Sequence, residues 1–159
     1  MLKKGADAAK EFAEDVADKA EDLFEEAEEA IDRALERKPT YLERAKALYK
    51  MVGEGQLLEA FDLYYADDVV MQEATGEVYE GKATNRQRGE QWLASVKEMH
   101  GGGTHAITAN EATKVTMVEA WVDFTMQDGN RMKMEEVAVQ RWKDGKIIHE
   151  RFYYNAPSS

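Results

Sequence analysis

The sequence predicts an α+β domain preceded by one long acidic helix. Three observations carry that expectation. Residues 6–38 repeat apolar positions at helical spacing within a run dominated by Ala, Glu, Asp and Lys. Residues 41–99 continue in shorter amphipathic segments punctuated by glycine. From Gly101 onward the texture changes to long alternating runs joined by the turn sequences QDGN and KDGK. Helices followed by a meander of strands define α+β rather than an alternating α/β order.

The first helix places Phe12, Val16, Leu23, Ala27 and Ile31 on one narrow stripe. Acidic residues fill its early turns, Arg33, Arg37 and Lys38 its last, which suits the helix dipole, and Pro39 stops it. A single stripe cannot bury itself, so residues 1–39 are expected to be an appended docking or oligomerisation helix, the alternatives being a solvated tail or an engineered extension. Residues 40–155 form the domain and 156–159 a tail.

Within the domain, YLERAKALYKMV and QLLEAFDLYYA read as two helices parted by Gly53-Glu54-Gly55, with Thr40 as N-cap of the first. DDVVMQEA alternates as a strand, and VYEGK is a short extended piece closed by Gly81. ATNRQRGEQWLASVKEM reads as a third helix with Trp92, Leu93 and Val96 inward, and HGGGTH as a flexible connection out of it. Strands follow at 104–112, 114–127, 131–143 and 146–155. If each Asp-Gly lies in a three-residue loop, even-numbered residues of the last three strands share the inward face. That face carries Phe124, Glu136, Ala138, Gln140, Trp142, Glu150, Phe152 and Tyr154, with Ala138 opposite Glu150 and Gln140 opposite Ile148.

Composition limits the function. The 21 basic and 32 acidic residues leave a net charge of −11, which disfavours nucleic acid and anionic membranes as partners. The absence of cysteine excludes disulfides, thiolate metal sites and cysteine nucleophiles. No apolar run approaches the roughly 18 residues of a membrane span and the start lacks a secretory signal, so a cytoplasmic location is expected. His100, His105 and His149 are too scattered for a metal site, and no phosphate-binding glycine loop is present, so no metal and no cofactor are expected.

Three stretches, EAFDLYYADDVVMQEATG, VYEGK and VQRWKDGKIIHERFYYN, give residues 41–155 a specific likeness. The chain resembles the cone-shaped nuclear-transport-factor-2-like fold, and within it the SnoaL-like polyketide cyclases and ketosteroid isomerases. The resemblance implies three helices packed on a strongly curved mixed sheet around a pocket. It also implies a catalytic carboxylate eight residues beyond Tyr65, at Glu73, and an oxyanion-donating tyrosine sixteen residues before Tyr65, at Tyr49. The third position of that pattern, an aspartate, is Ala138 here, so one oxyanion donor is missing; Glu150 is the candidate to occupy its space.

The residues themselves support the same chemistry. A carboxylate at an apolar cavity gains proton affinity through desolvation, and a buried phenol can stabilise an enolate oxygen. Glu73 has a second reading as a strand-end carboxylate paired with Arg86 or Arg88, and Tyr49 as a core tyrosine with a satisfied hydroxyl. Trp92, Phe124, Glu136, Ala138, Gln140, Trp142, Phe152 and Tyr154 are the expected pocket lining, suited to a small apolar molecule. The opposite face holds Met117, Trp121, Val137, Val139 and Tyr153, an apolar patch expected to form a homodimer. Function then divides between cofactor-free acid/base catalysis of isomerase, cyclase or hydratase type on a carbonyl compound, a non-catalytic binding module and a dimeric scaffold.

Overall fold

The computed structural model describes residues 2–155, with side chains from Lys10 onward; the tail expected at 156–159 lies outside the described residues. The chain divides into two compact units, 1–38 and 39–159. The first is a single helix, α1 (Leu2–Glu36), which begins earlier than expected and has no acidic residue in its first turn. Phe12, Val16, Leu23, Phe24, Ile31 and Leu35 are all exposed on it. Lys10–Glu14, Lys19–Asp15 and Arg33–Glu29 are ion pairs one turn apart, each a support of a few tenths of a kcal/mol.

The second unit contains α2 (Tyr41–Gly53), α3 (Leu57–Tyr64), β1 (Tyr65–Gln72), β2 (Val78–Glu80), α4 (Lys82–Ser95), β3 (Val96–Asn110), β4 (Val115–Met126), β5 (Arg131–Lys143) and β6 (Lys146–Tyr153). The six strands form one sheet in the order β2-β1-β6-β5-β4-β3. Only β1 and β6 run parallel; every other pair is antiparallel. The fold of this unit is α+β, three helices with a mixed sheet, and with α1 it matches the class predicted from sequence.

Helix α2 is fixed at its start by two carboxylates. Thr40 accepts from the Glu43 backbone N–H at 3.2 Å while the Glu43 carboxylate accepts from the Thr40 N–H at 2.8 Å, a capping box. Glu111, in the β3–β4 turn, accepts from the N–H groups of Tyr41 and Leu42 at 2.9 and 3.0 Å. Negative charge at these open donors is favourable, and the clamp holds the helix that carries Tyr49 against the end of the sheet. Below it, Ala45, Leu48, Ala60, Phe61, Tyr65, Val69, Trp142 and Ile147 make the main core.

Strands β4 and β5 alternate as predicted: Thr116, Val118, Phe124, Ala138, Gln140 and Trp142 are buried, whereas Met117, Glu119, Glu135 and Val137 are exposed. Two details differ. The second hairpin closes on a two-residue turn, with Lys143 opposite Lys146 and left-handed backbone at Asp144 (φ 50°) and Gly145 (φ 79°). A bulge between Arg141 and Trp142 then restores parity, so Gln140 lies opposite Glu150 and Ala138 opposite Phe152, a register shifted from the predicted one. Ile147, not Ile148, is fully buried as a consequence.

The second difference is HGGGTH, which lies inside β3 rather than in a connection, because α4 ends at Ser95. The reason is steric. A Cβ at Gly101 would sit 3.1 Å from the Trp121 ring, and one at Gly103 3.4 Å from its indole nitrogen. Side chains are absent where the neighbouring strand lays its indole, and three irregularities along β3 accommodate the close approach.

If the Glu111 clamp seats α2, Glu111→Ala should lower stability by on the order of 1–2 kcal/mol, as loss of a cap does. Urea unfolding would read this as a lower midpoint with an unchanged slope.

Candidate functional site

The inward face of the sheet, with α2 and α4, bounds a cavity of about 1260 Å³. Leu58, Met71, Trp92, Val122, Met134 and Phe152 supply apolar wall. Into this wall are set the carboxylates Glu73, Glu136 and Glu150 and the exposed Glu77, together with Tyr49, Tyr65, Tyr154 and Arg88. Each comes from a different part of the fold: Tyr49 from α2, Tyr65 from the first residue of β1, Arg88 from α4, Glu136 from β5 and Glu150 from β6.

Glu150 is the most enclosed, with 1% of its surface exposed. Its Oε2 accepts from the Tyr65 hydroxyl at 2.7 Å and its Oε1 from the Gln140 amide at 2.7 Å. Gln140 Oε1 accepts from the Thr116 hydroxyl at 2.8 Å, and Thr116 Oγ1 accepts from the Trp142 indole N–H at 2.8 Å. Burial pushes the Glu150 carboxyl up to about 7; its two hydrogen bonds pull the other way, and the charges of Glu136 and Glu73 reinforce the rise.

Glu136 is likewise held at about 7, by burial first and by the charge of Glu73 second. Unlike Glu150, it makes no hydrogen bond or ion pair among the described residues. Burial, and after it the charges of Glu150 and Glu136, push the Tyr49 phenol well above its ordinary range, so Tyr49 stays a hydrogen-bond donor. Its hydroxyl has no partner among the described residues.

Glu73 is engaged differently. Arg88 pairs with its Oε1, and the Tyr154 hydroxyl donates to its Oε2 at 3.0 Å. Arg88 is itself fixed: it donates to Asn85 Oδ1 at 3.1 Å, and its guanidinium lies 3.5 Å from the centre of the Tyr79 ring. Asn85 in turn donates to the carbonyls of Tyr79 and Gly81, both at 3.0 Å. Arg86 is not a partner of Glu73, being paired with Asp62 and Glu90.

The structure thus brings Tyr49, Glu73, Glu136, Glu150, Trp92, Phe152 and Tyr154 to one cavity. Four other expected lining residues lie behind its wall. Phe124 is buried against Trp92, ring centres 5.5 Å apart. Trp142 packs between Tyr41 and Tyr64 in the main core. Gln140 is enclosed between Thr116 and Glu150, and Ala138 is fully buried outside the cavity lining. Sequence reasoning missed Tyr65 as a partner of Glu150 and Thr116 altogether. The first depends on the parallel pairing of β1 with β6, which residue spacing does not disclose.

Nuclear-transport-factor-2-like and ketosteroid-isomerase-like proteins share this fold, and the chain belongs to the SnoaL-like domain family, whose model matches residues 40–154. A protein of Mesorhizobium loti described as a candidate SnoaL-like polyketide cyclase is 32% identical, with a TM-score of 0.66 over 73% of this chain and 100% of that one. A candidate polyketide cyclase of Pseudomonas putida, 20% identical, superposes with a TM-score of 0.63 over 74% of this chain and 93% of its own. A protein of Catenulispora acidiphila with a ketosteroid isomerase-like fold, in complex with trimethylamine, is 13% identical with a TM-score of 0.59, over 71% and 85% of the two chains. No curated protein matches the chain significantly. Among the described residues no helix is long and apolar enough to cross a membrane.

The two raised carboxyls make a signed prediction. Between the ordinary value of 4.5 and about 7 the folded state holds more protons at Glu136 and Glu150 than the unfolded chain. Their contribution to stability is therefore fully present below about 4.5 and lost as pH rises through 7. Thermal melts from pH 4.5 to 8 should show this decline, and Glu136→Gln should flatten it; an unaltered pH slope in that variant would refute the assignment.

Proposed function

We propose that the cavity binds a small apolar carbonyl compound and exchanges a proton with it without a cofactor, as an isomerase, cyclase or hydratase does. One observation supports this above the others: Glu136 is a carboxyl at an apolar cavity, without a partner among the described residues and held near neutrality. A group with that midpoint both takes and returns a proton at working pH. In this reading Glu136 removes a proton beside the carbonyl, Tyr49 donates to the oxygen that becomes an enolate, and the Tyr65–Glu150 pair supplies a second donor. Glu73, the base by resemblance, supports the site through its charge, which raises the proton affinity of Glu136.

A second reading is favoured by the grip of Arg88 and Tyr154 on Glu73: a non-catalytic binding module whose carboxylate at the resemblance-derived base position is engaged structurally. Solvent deuterium exchange separates the two. Incubated in D2O with small cyclic ketones, the wild type should exchange protons next to the carbonyl, and Glu136→Gln should lose about 10²–10⁴-fold of that rate. Absence of exchange in the wild type would favour the binding module. Under either reading a nitro-substituted phenolate, mimicking an enolate, should bind at pH 6 and lose about 1–3 kcal/mol of affinity in Tyr49→Phe.

The proposal also keeps a cytoplasmic location and a homodimer joined through the outer sheet face, where Met117, Val137 and Tyr153 are exposed together. Val137→Lys would bury a charge in such an interface and should yield monomers in sedimentation; an unchanged coefficient would place any self-association elsewhere.

A further inference from the structure

Behind the cavity, the order of donors in the chain Trp142–Thr116–Gln140–Glu150–Tyr65 is dictated by chemistry. An indole N–H can only donate, so Thr116 Oγ1 must accept from Trp142. The single Thr116 hydrogen is then directed at Gln140, which must present its carbonyl oxygen there. The Gln140 NH2 group consequently faces Glu150 Oε1. Turning that amide around would point its oxygen at Glu150 and leave the Thr116 hydrogen facing another donor, in a place where Thr116, Gln140 and Glu150 are all at most 1% exposed.

From this arrangement we infer that Trp142, Thr116 and Gln140 are positioning residues acting through Glu150: a one-way hydrogen-bond relay reserves its Oε1 as an acceptor, so its exchangeable proton resides on Oε2, toward Tyr65. When Oε2 takes up a proton it donates to Tyr65 Oη, and the Tyr65 hydroxyl hydrogen turns into the cavity, which Tyr65 lines. When the proton leaves, Tyr65 turns back to Oε2; one proton enters or leaves, and no other bond changes. The relay thereby converts the protonation state of an almost wholly enclosed carboxyl into a donor presented to the cavity. This deepens the acid/base reading of the cavity and rests on it for its use, although the relay itself requires no substrate. The groups that face Glu150 are Tyr65 of β1, Tyr49 of α2, Gln140 and Glu136 of β5, and Glu73 beyond β1.

The test is a carboxyl-carbon NMR titration of Glu150, assigned with Glu150→Gln, in the ligand-free protein. Thr116→Val preserves shape but frees the Gln140 amide to turn and accept from a protonated Oε1. It should raise the Glu150 midpoint by about one pH unit, a tenfold gain in proton affinity, and Thr116→Ser should restore the wild-type midpoint. Equal midpoints in all three proteins would overturn the relay. So would a Ser variant displaced as far as the Val variant, because the effect would then come from packing and not from the hydroxyl. If Thr116→Val does not fold, the wild type still decides: the side-chain amide protons of Gln140 should shift in step with Glu150 ionisation, and a flat response overturns the inference. Ketone exchange plays no part in these readouts, so failure of the relay and failure of the catalytic reading are seen separately.

Discussion

A carboxyl group with almost no access to water has to be satisfied from within, and much of this domain's interior answers to that demand at Glu150. Its partners come from both sides: Tyr65 from the parallel neighbour β1 and Gln140 from the antiparallel neighbour β5. Behind Gln140 stand Thr116 of β4 and Trp142, whose ring also belongs to the core beneath α2. Four adjacent strands are thus joined by polar bonds running across the inward face. Sliding β6 by two residues would keep every apolar side chain inward yet put Ala138 opposite Glu150. It would strip the carboxyl of its amide donor, and an unsatisfied buried charge costs about 3–5 kcal/mol. Packing chooses the face; Glu150 chooses the register.

That division explains what the sequence could disclose. The inward parity of β4 and β5 follows from alternation alone, and the Met126–Asn130 closure of the first hairpin follows from QDGN, the Met126 N–H donating to the Asn130 carbonyl at 2.8 Å. The second hairpin has the same Asp-Gly signal but a shorter turn. By itself that turn would send the alternate residues of β6 inward. The bulge at Arg141–Trp142 cancels the shift and brings Gln140 opposite Glu150, a long-range pairing that the turn sequence does not encode. HGGGTH misleads for a related reason. Three consecutive glycines usually mark a connection, but here their lack of side chains makes room for the indole of Trp121 from the next strand.

The candidate site was legible to a similar depth. The family resemblance implied Glu73 and Tyr49, and both line the cavity. The engagement of Glu73 was visible only as a choice between Arg86 and Arg88. It is settled by α4, whose helical phase turns Arg88 toward Glu73 while Arg86 meets Asp62 on α3. The start of α4 is set by Gly81, with its left-handed backbone at φ 86°, and by Asn85, whose amide closes onto Tyr79 and Gly81. Four expected wall residues lie one layer too deep because facing inward on a sheet does not distinguish a cavity wall from the packed core beside it.

Glu136 is a carboxyl for which stability gives no account. On the same strand face, the positions two and four residues before it are Met134 and Met132, and Met134 shares the cavity wall. A methionine at 136 would fill the same space without desolvation cost and without repulsion from Glu73. A core selected for stability alone has no use for a carboxyl there. Glu73 and Glu150 each satisfy their oxygens within the protein, so their charges have a structural account. Glu136 has none. Its carboxyl lines the cavity, as does the Tyr49 phenol, whose hydroxyl is likewise without a partner among the described residues. Both groups line the same cavity, so a molecule bound there has a carboxyl and a phenol within its walls to bond with. This asymmetry among Glu73, Glu136 and Glu150, more than the cavity's size or its fold, is what supports the acid/base reading proposed above.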